Sequence, residues 1–207
     1  EVNPSMRVLC GGSYMGQGCW KKTGHGVMWM LPGLVNSCDV YFYRMGEILG
    51  VRKIQPVARA LGLGLAPNLG FWPEGTSLVP TPEWERENVR TPDGGHWGEG
   101  DDRNTAIGQG YVLVTPLELA RMMGTVGSGG RRYRLQYVEE VRDPEGRVLR
   151  RFEPILEEDL GWDEEKKNFI LGALEGVVQW GTGGRARMEG IRVGGKTGTA
   201  QTPHGKD

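Results

Sequence analysis

Two short stretches and one scattered set of side chains carry residue types that can do chemistry. Lys196-Thr197-Gly198-Thr199 follows an ammonium with two hydroxyls and puts a glycine between them. From one strand edge this can present a cation and two hydrogen-bond donors, while Gly198 lets a substrate backbone approach closely. That combination suits a substrate carboxylate and a developing oxyanion, although a polar surface turn has the same composition. Ser37-Cys38-Asp39 sets a hydroxyl two residues from an acid, which serves either a proton relay or a helix cap. The third set is Cys10, Cys19, His25 and Cys38, spaced C-x8-C-x5-H-x12-C. This is not a zinc-finger spacing, yet Cys₃His is a full tetrahedral complement for zinc. The segment that holds it is glycine-rich and poor in core residues, where a metal staple stabilises most. A Cys10–Cys19 disulfide with Cys38 buried as a small apolar residue, or three free thiols, fits the same residues.

The elements that must position these groups are legible in outline. The chain has 207 residues and a net charge of -1, ordinary for a globular domain and unsuited to neutralising nucleic-acid phosphates. No apolar run reaches the length of a membrane span, and no basic-then-apolar leader precedes Glu1. Glycine is the outlier at 35 residues, while seven tryptophans speak for a folded, loop-rich chain. Apolar residues at helical spacing (Leu34, Val35, Cys38, Phe42, Met45, Leu49) predict one helix over Leu31–Leu49, and a second over Lys53–Leu61. Residues 62–110 read mostly as loop. Thr115-Pro116-Leu117-Glu118 is a capping box that opens a helix ending near Gly127. Residues 133–153 read as a hairpin around Asp143-Pro144-Glu145-Gly146, then a helix over Asp163–Gln179, then a strand over Ile191–Lys196. Helices, hairpin, helix and strand imply a sheet flanked by helices.

The order of Ser-x-Asp at Ser37 and Asp39, then Lys-Thr-Gly at Lys196, matches two of the three motifs of serine enzymes that react with β-lactams. With Cys19-Trp20-Lys21-Lys22, Gly24-His25-Gly26 and Asn104 to Tyr111 running into Thr115 to Ala120, the chain closely resembles the penicillin-binding protein 2 family, the elongation-type class B peptidoglycan D,D-transpeptidases. The resemblance covers nearly the whole length. It implies an α+β penicillin-binding transpeptidase (β-lactamase-like) fold, an antiparallel sheet with helices on both faces, incomplete at both ends. It implies one partial domain over 1–207, with residues 1–38 as its Gly/Cys-rich segment. The activity implied is acyl transfer through a serine ester, cross-linking stem peptides and open to β-lactams. Ser37 then relays a proton, Lys196 supplies positive potential, and Thr197, Gly198 and Thr199 bind the substrate's carboxylate, the Thr199 N–H forming half of the oxyanion hole. Asp39 stands where many related enzymes have Asn. Some relatives carry zinc on the counterparts of Cys19, His25 and Cys38; the resemblance implies Cys10 as the fourth ligand, a place where other residue types also serve. Implied partners are an elongation glycosyltransferase and rod-shape scaffold proteins, with no nucleic acid. The implied location is the periplasmic face of the inner membrane, the anchor lying outside this chain.

The nucleophile of the S-x-x-K motif is missing. Ser5, Ser13, Ser37, Ser77 and Ser128 are followed three residues on by Val8, Gly16, Val40, Pro80 and Arg131. The expectation is therefore a fragment inactive alone. A division-type transpeptidase, a serine β-lactamase and an inactive β-lactam-sensing module are the rival readings. His96 among Glu99, Asp101 and Asp102, and Arg131-Arg132-Tyr133-Arg134, read as solvated; Trp97 is a candidate for the groove wall.

Overall fold

A computed structural model describes residues 2–70, 75, 77–89 and 96–198. The strands are β1 (Val8–Cys10), β2 (Ser13–Tyr14), β3 (Gln17–Gly18), β4 (Gly26–Met28), β5 (Arg131–Tyr133), β6 (Glu140–Arg142), β7 (Val148–Arg151) and β8 (Leu156–Asp159). The helices are α1 (Met30–Val35), α2 (Asp39–Leu49), α3 (Val51–Ala60), α4 (Pro82–Asn88), α5 (Glu99–Ala106), α6 (Pro116–Gly127) and α7 (Glu164–Gln179). The chain forms two compact units, one from residues 1–56, 80–112 and 168–207, the other from 57–79 and 113–167.

In the first unit, β1 pairs antiparallel with β4, setting Cys10 opposite Gly26. The β2–β3 hairpin lies between them in sequence. Gly24 has φ +79°, and a Cβ there would meet the Cys10 carbonyl oxygen at 2.2 Å, so only glycine allows this approach. The core gathers Cys10, Cys19, Cys38, Val40, Tyr41, Tyr43 and Met45. α2 and α5 pack closely: a Cβ on Gly46 would stand 2.7 Å from both Ala106 Cβ and the Asp102 carbonyl oxygen.

The second unit is anchored by α6. Its capping box is formed as the sequence predicts, Thr115 Oγ1 accepting from the Glu118 N–H at 3.2 Å and Glu118 Oε2 from the Thr115 N–H at 2.8 Å. Glu118 Oε1 also accepts the Gly64 N–H at 2.8 Å. The β6–β7 hairpin turns at Asp143–Gly146 as expected, and β5 pairs with β8.

Four expectations need correction. The helix over Leu31–Leu49 is two helices, because Ser37 takes φ +53°, a left-handed conformation that no α-helix continues through. Residues 62–110 hold α4 and α5 rather than loop alone. α4 starts from Thr81, which caps the Trp84 N–H at 3.2 Å ahead of Pro82. α5 lacks an apolar stripe and is held by polar anchors: Asp101 takes the Gly98 N–H at 2.9 Å, and Asp102 takes the Val51 N–H at 2.7 Å. Residues 191–196 are extended but not a strand, since an isolated bridge from Ile191 to Met188 is their one β-pairing among the described residues. Arg132 is not solvated: it is buried on β5, donating to Glu158 at 2.9 Å and to the Arg59 carbonyl at 3.1 Å. The α+β class stands, with the described strands in four antiparallel pairs.

Candidate functional site

The turn between α1 and α2 is the centre of the site. The Ser37 N–H donates to the Leu34 carbonyl at 3.2 Å and the Cys38 N–H to the Gly33 carbonyl at 2.9 Å, closing the end of α1. Asp39 then opens α2. Its Oδ2 accepts the Trp20 N–H at 2.9 Å, and the Trp20 indole Nε1–H is shared by the Asn36 and Ser37 carbonyls at 3.0 Å each.

Lys196 reaches this turn from the other end of the sequence. Its extended segment leans on α7, the Gly195 N–H donating to the Leu174 carbonyl at 3.1 Å and Arg192 pairing with Glu175 at 2.7 Å. Lys196 Nζ donates to Ser37 Oγ at 2.7 Å and to the Thr197 carbonyl at 3.0 Å. Partial withdrawal from water pushes its pKa down, while the Asp39 carboxylate pulls it back up. Thr197 Oγ1 and Thr182 Oγ1 are hydrogen-bonded at 2.7 Å. Ser37, Asp39, Lys196, Thr197 and Gly198 all line one cleft of about 940 Å³, with Trp20, Phe42 and Asn104 among its other walls. A cation, two hydroxyls and a close-approach glycine therefore share one concavity, an arrangement suited to binding a carboxylate and moving a proton.

Behind this turn lie the three thiols and His25. Cys10, Cys19 and Cys38 are free and buried. The four ligand atoms lie within 4.8 Å of one another. His25 Nδ1 is 3.6 Å from Cys10 Sγ and 3.5 Å from Cys19 Sγ. Tetrahedral zinc with ordinary Zn–S and Zn–N bonds sets sulfur and nitrogen about 3.5 Å apart, so the donor set fits that ion. Burial pushes the Cys38 thiol strongly up, Cys10 and Cys19 adding to the rise. Burial likewise raises Cys19, whereas at Cys10 it is outweighed by hydrogen bonds from the His25 and Gly12 backbone, and that thiol falls.

A buried polar network supports the cleft wall. Glu47 on α2 accepts from Tyr14 at 2.8 Å, Arg44 at 2.9 Å and Arg103 at 2.5 Å. Burial raises the Glu47 carboxyl, but these donors hold it below the usual carboxylate range. Gln17 joins in through Arg103 and through Asn104 at 2.8 Å.

The structure brings Ser37, Asp39, Lys196, Thr197 and Gly198 into one cleft and Cys10, Cys19, His25 and Cys38 into one cluster; Thr199 and His204 lie outside the described residues. His96 is exposed as expected. Trp97 does not line the cleft; its indole N–H donates to Asp102 at 3.0 Å. Sequence reasoning missed Thr182 and the bonding role of Trp20. Thr182 carried no local signal, since it meets Thr197 only through the turn after α7.

A concave site with Ser-x-Asp on one wall and Lys-Thr-Gly on the other belongs with the penicillin-binding transpeptidase fold. The sequence pattern of the penicillin binding protein transpeptidase domain matches residues 2–207, and the chain belongs to that family. It is 35% identical over 184 residues to stage V sporulation protein D of Bacillus subtilis, covering 88% of this chain and 26% of that protein. It is 30% identical over 192 residues to the peptidoglycan D,D-transpeptidase MrdA of Haemophilus influenzae, covering 88% of this chain and 28% of that one. The chain thus spans about a quarter of the length of these curated relatives. Among solved structures, one chain of a peptidoglycan synthase complex that coordinates polymerization and crosslinking aligns with TM-score 0.78 and 32% identity, over 98% of this chain and 34% of that one. Penicillin-binding protein 2 of Helicobacter pylori shares the fold, with TM-score 0.77 and 24% identity over 97% of this chain and 37% of that one.

Proposed function

We propose that this chain is part of the catalytic domain of a peptidoglycan D,D-transpeptidase of the elongation type. The observation that carries the reading is the 2.7 Å contact between Lys196 Nζ and Ser37 Oγ inside one cleft. In this reading the stem peptide's terminal carboxylate sits against Thr197, Gly198 and Thr199, attracted by the Lys196 charge. A serine outside the stretch read here attacks the D-Ala–D-Ala carbonyl. The C–N bond breaks, D-Ala leaves with a proton passed through Ser37, and the serine ester remains. An amine of a neighbouring stem then attacks that ester, forming the cross-link and returning the serine hydroxyl. Asp39 holds the Trp20 backbone, and its carboxylate draws the Lys196 pKa up against the desolvation that lowers it. β-Lactams enter as mimics of the same carboxylate and carbonyl.

Cys10, Cys19, His25 and Cys38 hold a structural zinc ion in this reading, which fixes Cys38 and with it Ser37 and Asp39 on either side. The partners are an elongation glycosyltransferase and rod-shape scaffold proteins, and the site works on the periplasmic face of the inner membrane. The synthase-complex chain, from an assembly that coordinates polymerization and crosslinking, supports the glycosyltransferase partner.

Fluorescent penicillin tests the reading. The longest natural chain that carries this sequence becomes covalently labelled and loses label when Lys196 is changed to Ala. The 207-residue chain stays unlabelled. A penicilloyl adduct on the intact 207-residue chain, seen by mass spectrometry, overturns the assignment of the nucleophile to another segment. Absence of label on the longer chain overturns the function.

A further inference from the structure

Ser37 is held where an L-residue rarely rests. At φ +53° it sits in the left-handed region, which costs roughly 1–2 kcal/mol for a side chain other than glycine, and such a conformation persists only where its surroundings over-determine it. The neighbouring bonds identify what does so. Trp20 makes three of them to three residues of the 36–39 stretch: indole Nε1–H to the Asn36 carbonyl, the same N–H to the Ser37 carbonyl, and the backbone N–H to Asp39 Oδ2. The two carbonyls flank the Ser37–Cys38 turn, so a single donor fixes the orientation of both peptide planes.

Trp20 as a residue is 55% exposed. A tryptophan used for its apolar bulk is buried, with its N–H seeking a partner second. Here the order is reversed: the residue stays largely in water at the cleft wall while the N–H points into the turn. Trp20 also follows Cys19 directly and meets the His25 ring edge-on, with centroids 5.1 Å apart. The Cys/His cluster therefore grips the turn twice, from inside through Cys38 and from outside through Cys19 and Trp20.

We infer that Trp20 is a positioning residue, whose indole N–H holds the Asn36–Cys38 turn in the conformation that presents Ser37 Oγ to Lys196. The inference deepens the proposed function by naming what sets the geometry of its proton relay, and its consequence for the reaction rests on that reading. The bond is broken cleanly by β-(3-benzothienyl)alanine at position 20, which keeps the ring and replaces the N–H with sulfur; Trp20→Phe is the simpler genetic variant.

Two measurements decide it. In the 207-residue chain, hydrogen exchange at the Ser37 and Cys38 amides accelerates about tenfold in both variants, while α5 amides stay unchanged and the melting temperature falls by no more than about 5 °C. In the longest natural chain, the rate constant of acylation by penicillin falls about tenfold at unchanged reversible affinity, a split that simple loss of folded protein does not produce. Unaltered exchange, or faster exchange with an unaltered acylation rate, overturns the inference. If the unmodified longer chain is not acylated, the functional reading fails on its own and the exchange data alone decide the role of Trp20.

Discussion

Residues 8–49, where short antiparallel strands precede two helices, and residues 131–159, which hold strands β5–β8, are held by opposite means. In the first region, Cys10, Cys19 and Cys38 are 1%, 0% and 0% exposed and share a metal-sized pocket with His25. Glu47 is itself shielded and binds the shielded Arg103, Tyr14 and the half-exposed Arg44. In the second, β7 and β8 are exposed along their whole length. Ion pairs such as Arg147–Asp143 and Arg151–Glu140 run along the surface there. Buried donors and acceptors lose a great deal when a partner is removed, and surface pairs lose little. The chemistry-bearing turn is therefore fastened to the region that gives least, while the hairpins are free to vary.

The comparison breaks most sharply at the cysteines. Cys38→Ser, or exhaustive chelation, lowers the melting temperature by roughly 10 °C or more and removes one equivalent of zinc by elemental analysis. Protein purified without zinc and just as stable contradicts the staple. Glu118→Ala tests whether the second unit depends on its helix cap rather than on its hairpins. It leaves the Gly64 and Thr115 N–H groups without their acceptor, for an expected loss of about 3 kcal/mol in denaturant unfolding. A loss below about 1 kcal/mol places the anchor elsewhere. Gly46→Ala drives a methyl against α5 and costs about 1–2 kcal/mol, the clash outweighing the gain in helix propensity. At the far end, Arg147→Ala changes stability by less than about 0.5 kcal/mol, and a larger effect would mean that the hairpin ion pairs act as a network.

How much of this the sequence reveals depends on the distance over which each feature is determined. The α6 cap is local, four residues long, and reads directly from Thr115 to Glu118. The same grammar stands at Thr81-Pro82, yet the five prolines between 62 and 110 hide α4 inside an apparent loop. α5 is invisible to periodicity because polar bonds from Asp101, Asp102 and Arg103 fix it, not an apolar face. The break at Ser37 is hidden for a similar reason. Leu34, Val35, Cys38, Phe42 and Met45 keep helical spacing across it, while the residue that grips the turn, Trp20, lies 17 positions earlier. The site residues were legible through Ser37, Asp39 and Lys196 as motifs, and the tetrad through its ligand count; Thr182 was not, since a lone threonine after a helix looks like any other.

The meeting of positions 37 and 196, 159 residues apart, is the claim on which the rest stands. A nuclear Overhauser experiment on the 207-residue chain with labelled serine and lysine reads it directly. A cross-peak between the Ser37 β-protons and the Lys196 ε-protons is predicted, lost in Lys196→Ala. A well-folded sample in which both residues are assigned and no such cross-peak exists contradicts the account.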